Sequence, residues 1–169
     1  MRHAPVFPAI AIAAVMVLGN CNYAAADDRD LCKTASGDTA IEACTRAIDS
    51  KKFNNKKQAR VLSLLYTNRG VEYEIKQEYD KAIADHDLAI KVDPKNPAPY
   101  SNRGNAYLGK QDYEHALADF DIAVKLNPKY AEALFNRGMA KRNHGDMAAG
   151  EEDIAQAKLL QPGIGATTQ

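Results

Sequence analysis

Residues 97–130 read PAPYSNRGNAYLGKQDYEHALADFDIAVKLNPKY, and the pattern of this stretch recurs on both sides at a spacing of 34 residues. Gly104, for example, has counterparts at Gly70 and Gly138. Four more sets keep the same period: Asn68, Asn102 and Asn136; Arg69, Arg103 and Arg137; Ala89, Ala123 and Ala157; and Pro94, Pro128 and Pro162. Two amphipathic helices repeated at one fixed spacing predict an all-α solenoid of stacked helical hairpins.

Seven positions in this unit have a distinctive size or shape: Tyr100, Gly104, Tyr107, Ala116, Phe120, Ala123 and Pro128. With these residues the unit resembles a tetratricopeptide repeat, whose first helix has an aromatic residue, Gly and Tyr and whose second has Ala, an aromatic residue and Ala before a proline. The preceding copy departs from this pattern at His86, and the following copy departs at Lys141, Gly150 and Ile154. The resemblance covers residues 63–162.

The resemblance implies a right-handed helical-hairpin solenoid of about three full tetratricopeptide repeats, at residues 63–96, 97–130 and 131–164. A truncated N-terminal repeat at residues 27–50 precedes them, because Ala40 and Ala47 match Ala116 and Ala123 on the second helix. The opening DLCKTASGDTAIEACTRAI is also similar to exported bacterial repeat proteins, so the chain is identified as an exported bacterial type of the family. The family implies a protein-binding module.

Helix limits follow from turn and capping residues. Pro128 ends a second helix because proline has no amide donor and disfavours helical geometry in the residue before it. Asn55 and Gln58 have the spacing of a capping pair, so a long helix should begin near Lys56. The predicted helices are 40–48, 56–76, 79–92, 97–109, 113–126, 131–143 and 147–160, with a turn at residues 36–38 and a disordered tail at 165–169.

The composition of the chain gives no sign of a nucleic-acid or membrane partner. The 22 basic and 22 acidic side chains balance, so no strong electrostatic field is expected, and the body of the chain has no apolar run long enough to span a bilayer. The sequence also lacks the nucleophile elbow, the phosphate-binding glycine loop and the zinc-binding helix motif. We therefore predict no catalytic residue, no metal site and no cofactor.

The N-terminus has the pattern of a secretory signal peptide at residues 1–26. Arg2 and His3 precede an apolar run at residues 6–18, and small residues at 24–26 offer a cleavage site before Asp27. The run is shorter than a membrane span, which disfavours an uncleaved anchor, and Asn20 before Cys21 fits a lipoprotein signal poorly. The predicted location is periplasmic or secreted, with no stable membrane insertion after cleavage.

Cleavage would leave Cys32 and Cys44, and an even pair in an exported chain favours a disulfide. The bridge would join the two helices of the truncated repeat and compensate for the packing that its short first helix lacks. Two buried free thiols are the alternative. A metal site would need further ligands.

Three pairs of opposite charge recur 16 residues apart, one member on each helix of a hairpin: Arg69 with Asp85, Arg103 with Asp119, and Arg137 with Asp153. One interpretation is a structural clamp between the two helices. The other is a row of arginines that bind an acidic ligand.

The first helices should line the concave face of the solenoid and form a partner groove there. By register, its residues are Thr67, Val71, Glu74, Ser101, Asn105, Leu108, Phe135, Met139 and Arg142. Apolar side chains at this spacing could equally belong to the core. Some family members grip a terminal carboxylate with Lys, Asn, Asn, Lys and Arg, but the matching residues here are Thr67, Val71, Asn102, Glu132 and Asn136. That specificity is therefore not expected.

These observations predict a non-catalytic adaptor of the bacterial envelope that binds a peptide or helix of a partner protein in its concave groove. The alternatives are an accessory subunit of an envelope complex, a self-assembling module, or an envelope enzyme. Leu159 and Leu160 on the last helix could support a weak homodimer.

Overall fold

The computed structural model describes residues 24–50, 53 and 55–166, and the apolar run of the predicted signal peptide lies outside these residues. The described part of the chain forms eight α-helices and contains no strand. They are α1 (Ala24–Thr34), α2 (Gly37–Asp49), α3 (Lys56–Ile75), α4 (Tyr79–Val92), α5 (Pro97–Gly109), α6 (Tyr113–Leu126), α7 (Ala131–His144) and α8 (Met147–Leu160). The all-α fold class is confirmed.

The predicted helix limits agree closely with the structure from α3 onward. α3 ends one residue before the predicted end and α7 extends one residue beyond it, whereas the limits of α4, α5, α6 and α8 are those predicted. The Asn55 side chain accepts a hydrogen bond from the Gln58 amide at 3.0 Å, as expected of an N-cap. Pro97 opens α5 at a position where its missing amide costs nothing.

Consecutive helices pack as hairpins that stack into a curved solenoid. Each first helix also contacts the next first helix, so that α1 meets α3, α3 meets α5 and α5 meets α7. Within the described residues, no second helix contacts another second helix. The first helices are therefore closer together, and they form the inner, concave side of the stack.

Glycines on the first helices let the two helices of a hairpin approach closely. A Cβ at Gly104 would lie 2.8 Å from the Phe120 ring, and one at Gly70 would lie 2.5 Å from the His86 ring. His86 is thus a core residue that occupies the place of the missing aromatic side chain. At Gly138 the obstacle is backbone, since a Cβ would lie 2.6 Å from the Gly150 carbonyl oxygen.

We expect Gly138→Ala to lower the free energy of unfolding by about 1–3 kcal/mol, because a backbone neighbour cannot rotate away from the added methyl group. The higher helix propensity of alanine offsets part of this loss. Urea denaturation measures the change. Gly163→Ala is the matched control because a Cβ there meets nothing within 4 Å; equal stability of the two variants would contradict the close-approach argument.

The N-terminal hairpin differs from the prediction at its connection. The predicted turn at residues 36–38 is wrong, because only Ala35 and Ser36 separate the two helices and α2 begins at Gly37 instead of Ala40. The Gly37 amide donates a 2.6 Å hydrogen bond to Glu72 on α3. A side chain distant in sequence thus satisfies an amide at the helix start that would otherwise lack a partner.

The C-terminal segment also differs from the prediction. The tail was expected to be disordered from residue 165, but residues 162–165 form a turn in which the Ala166 amide donates to the Gly163 carbonyl. Gly165 adopts a positive φ of 74° and lies against the Phe135 ring, where a Cβ would approach to 2.6 Å. The ring contact of Gly165 and the backbone hydrogen bond of Ala166 order the first two residues of the predicted tail, and residues 167–169 lie outside the described part.

Candidate functional site: the concave face and its arginine clamps

Each repeated arginine contacts its predicted aspartate through two parallel hydrogen bonds. Arg103 donates from Nε to Asp119 Oδ2 at 2.8 Å and from Nη2 to Asp119 Oδ1 at 2.6 Å. The same geometry joins Arg69 to Asp85 and Arg137 to Asp153, with all four distances at 2.7 Å. Two parallel hydrogen bonds fix the orientation of the guanidinium relative to the carboxylate as well as the distance between them. Each pair therefore holds the two helices of its hairpin in register.

The remaining terminal nitrogen of each arginine reaches back to the second helix of the preceding hairpin. Nη1 of Arg69 donates to Thr45 Oγ1 at 2.9 Å, and Nη1 of Arg137 donates to Asp121 at 2.8 Å. Nη1 of Arg103 donates to Asp87. Each arginine therefore ties together three helices from two hairpins, a role that the sequence analysis missed. The available signal was the 34-residue spacing of Asp87 and Asp121.

The electrostatics of the clamps agree with this geometry. Hydrogen bonding to Asp119 raises the pKa of Arg103, although burial acts in the opposite direction. Burial alone would raise the pKa of Asp153, but hydrogen bonds from Arg137 and Lys141 outweigh it and lower that pKa. Lys141 stands one repeat after Tyr107 and contacts Asp153 at 2.8 Å. The clamp arginines thus already have carboxylate or hydroxyl partners, which leaves them little capacity for an acidic ligand.

Two predicted groove residues are not accessible to a partner. Thr67 is 7% exposed and Ser101 is 1% exposed. The Thr67 hydroxyl donates to the Ser63 carbonyl within its own helix, and Ser101 shares a hydrogen bond with Tyr130, whose pKa burial and neighbouring Glu132 raise to about 12. Both residues occupy the repeat position that the next hairpin covers, so assigning them to the groove was wrong.

Phe135 occupies the same repeat position in the last hairpin, where the C-terminal turn replaces a following helix. Its ring is half-buried because Gly165 packs against it. The two charged residues among the groove candidates already have partners. Glu74 lies 2.7 Å from His86 Nε2, and Arg142 lies 3.3 Å from Glu151. Phe135, Glu74 and Arg142 are therefore only partly free to contact a ligand.

The other four predicted groove residues, which are also partly exposed, are Val71, Asn105, Leu108 and Met139. They lie on α3, α5 and α7, the helices of the concave side. Val71 also lines a cleft of about 180 Å³ between α1 and α3, together with Cys32, Ala35, Asn68 and Glu72. The concave face thus combines aliphatic side chains with polar ones.

A row of asparagines on the first helices belongs to this face and was not assigned to the groove from sequence. Asn68, Asn102 and Asn136 recur at the repeat spacing and are all partly exposed. Asn136 Nδ2 donates to Asn105 Oδ1 at 2.9 Å and links α7 to α5. A side-chain amide offers both donors and an acceptor, as a peptide backbone does. The exact repetition in sequence was the signal that could have identified this row.

The described residues contain no group of three or more His, Cys, Asp or Glu side chains placed to hold a metal ion. None of the helices in the described ranges is long and apolar enough to cross a membrane.

Two family models match the middle of the chain. Residues 70–111 match the family described as TPR repeat, and residues 97–130 match the family described as Tetratricopeptide repeat. A search of curated proteins found no match to this chain.

Solved structures of the same fold include domains captured with peptides. The second TPR of Spaghetti (RPAP3) bound to the HSP90 peptide SRMEEVD is 27% identical, with a TM-score of 0.57, and the match covers 69% of this chain and 99% of that one. The second TPR domain of human RPAP3 in complex with the HSP70 peptide SGPTIEEVD is 28% identical, with a TM-score of 0.57 and coverages of 64% and 88%. The Sgt2 TPR domain from Aspergillus fumigatus is 28% identical, with a TM-score of 0.57 and coverages of 59% and 66%.

Proposed function

We propose that this chain is a non-catalytic adaptor built of tetratricopeptide repeats and that it binds an extended peptide segment of a partner protein. The binding surface is the concave face formed by α3, α5 and α7. The observation that supports this most directly is that asparagines and aliphatic side chains stay accessible there while the clamp arginines are engaged. Similar domains in complex with peptides support the same class of function.

The row of asparagines would recognise the backbone of the bound segment. Asn68, Asn102 and Asn136 present one amide per hairpin, so a single extended chain can pair with successive amides. Val71, Leu108 and Met139 would contact its apolar side chains between those points. The clamps preform this surface, which reduces the ordering cost of binding.

The partner of this chain would differ from the acidic peptides in the similar structures. Glu132 stands where a carboxylate-gripping relative has a lysine, and it would repel a terminal carboxylate. Thr67, another of those positions, is buried. We therefore propose an internal segment as the ligand rather than a chain terminus.

We expect Asn102→Ala and Leu108→Asp each to weaken peptide binding at least about tenfold, since each removes a contact in the middle of the groove. Peptides selected from a displayed random library on the wild-type protein, then measured by fluorescence anisotropy, provide the assay. Leu159→Asp is the matched control because Leu159 is 85% exposed on α8, outside the concave face. Unchanged affinity of both groove variants would contradict the proposal.

We also propose that the adaptor works in the bacterial envelope after export. The signal-peptide pattern at residues 1–26 and the disulfide between Cys32 and Cys44 support an oxidising compartment. Fractionation of expressing cells, followed by intact-mass measurement, should find a chain that begins at Asp27 in the periplasmic fraction. A full-length chain in the cytoplasm would contradict this location.

A further inference from the structure

A cluster of basic residues lies at one edge of the solenoid, away from the concave face, and we call it the basic edge. It consists of Lys56, Lys57 and Arg60 at the start of α3 and Lys95 in the connection from α4 to α5, and all four are exposed. The 34-residue period from Pro97 places the start of a first helix at Ser63, but α3 begins at Lys56. These first turns of α3 are therefore an addition to the repeat.

The basic edge lacks the ion pairs that neutralise lysines at the opposite edge of the solenoid. Within the described residues, none of its four cations has a carboxylate within ion-pairing distance. At the opposite edge, formed by the turns inside the hairpins, Lys76 pairs with Asp38 and Lys110 pairs with Asp80. The positive charge of the basic edge is consequently left uncompensated.

The position of these lysines on their helix is also unfavourable. The N-terminus of a helix carries partial positive charge, so acidic residues stabilise the first turn and basic residues destabilise it. α2, α4, α6 and α7 follow this rule with an acidic residue in the first turn. α3, α5 and α8 have none there, and of these three only α3 begins with basic residues, Lys56 and Lys57. A bound anion would compensate both the helix terminus and the side chains.

The basic edge encloses space for such a ligand. A cleft of about 390 Å³ lies between the two segments, and its lining is Lys56, Ala59, Arg60, Val92, Asp93, Pro94 and Lys95. A second cleft of about 260 Å³ is lined by Lys56, Lys57 and Arg60. The lining of the first cleft thus combines three cations and one carboxylate with the apolar groups of Ala59, Val92 and Pro94. Such a cleft fits carboxylates that alternate with aliphatic side chains better than it fits a flat membrane surface.

We propose that the basic edge binds an acidic peptide segment of a partner protein, at a site separate from the concave groove. Carboxylates of the segment pair with Lys56, Arg60 and Lys95, and an aliphatic side chain packs against Val92 and Pro94. The four cations and one aspartate leave a small net positive charge, which suits a short acidic segment rather than a nucleic acid with one charge per phosphate.

The probe for the test is a fluorescein-labelled peptide of alternating glutamate and leucine, titrated with the protein and followed by anisotropy. We expect the double variant Lys56→Gln/Arg60→Gln to weaken binding at least about tenfold relative to wild type. The matched control is Lys125→Gln/Lys158→Gln, which removes the same charge from exposed lysines on α6 and α8. The affinity of the wild-type protein for the probe should decrease as the salt concentration is raised from about 20 mM to about 300 mM, because salt screens exposed charges.

Stability separates a binding role from a structural one. Since Lys56 opposes the helix terminus, Lys56→Gln should leave Tm unchanged or raise it by about 1–4 °C while binding weakens. A lowered Tm in this variant, or equal affinities of the two double variants, would overturn the proposal. So would probe binding that Asn102→Ala abolishes, because that places the peptide in the concave groove. Binding to phosphatidylglycerol vesicles without binding to the peptide would indicate a membrane site instead and would also overturn it.

Discussion

Arg103→Ala is expected to lower the free energy of unfolding by about 3 kcal/mol. The substitution leaves the Asp119 carboxylate, which is 5% exposed, without its two-point partner, and an uncompensated buried charge costs about 3–5 kcal/mol. The lower end of that range applies because the Arg103 side chain keeps 21% of its surface exposed. The change also removes the contact to Asp87 and so weakens the junction between two hairpins. Urea denaturation followed by circular dichroism measures the loss.

A double-mutant cycle distinguishes the pair from general damage to the helices. Arg103→Ala/Asp119→Ala should be less destabilised than the sum of its two single variants, since the double variant has no unpaired buried charge. Lys125→Ala is the control for losing a cation from an exposed helix surface and should change stability by less than about 0.5 kcal/mol. Additive effects in the cycle would mean that the clamp does not couple the two helices.

The fold was predictable because local and repeated signals coincide in this chain. Pro97 and Pro128 mark helix limits through their backbone chemistry, and Asn55 caps a helix by hydrogen bonding to an amide three residues later. These residues act within a few positions of themselves, so their effect can be deduced without tertiary structure. The 34-residue period then allowed the helix limits found in one repeat to be applied to the other repeats.

The clamp pairs were also predictable, because a repeat brings residues 16 positions apart to facing helices in every copy. The contact between hairpins was harder to foresee. The Arg103 guanidinium bonds Asp119 and Asp87, which lie at equal sequence distances on either side, and only the handedness of stacking decides that both are reached. Sequence spacing alone does not contain that geometry.

The groove was predicted only in part, for a physical reason seen in Thr67 and Ser101. Register shows which side of a helix a residue occupies, but it does not show how much of that side the next hairpin covers. Phe135 illustrates the same limit, since the turn at residues 162–165 that covers it comes from beyond the last helix. Exposure depends on contacts between units, which the pattern within one unit does not specify.

Removal of the disulfide, by Cys32→Ala/Cys44→Ala, is expected to lower the free energy of unfolding of the N-terminal hairpin by about 3 kcal/mol. The bridge closes a short loop between α1 and α2, and a loop of this length contributes about 3 kcal/mol in the chain-entropy model. Both cysteines are buried in a small core with Ala43, Ala47 and Leu65. The truncated hairpin contributes little other core, so the covalent link replaces packing that the full repeats obtain from larger side chains.

The loss should stay local, because each hairpin in a solenoid contacts only its neighbours. Hydrogen exchange in the disulfide-free variant should accelerate in α1 and α2 and leave α5–α8 protected as in the wild type. Reduction of the wild-type protein should reproduce this pattern, whereas the same reductant added to the alanine variant should change nothing. Intact-mass measurement after alkylation without reductant checks the premise, since two modified thiols in the exported protein would show that the bridge does not form. Uniform acceleration across all eight described helices would instead mean that the N-terminal hairpin nucleates the whole stack, and the disulfide would then govern the shape of the concave face as well as the stability of its first unit.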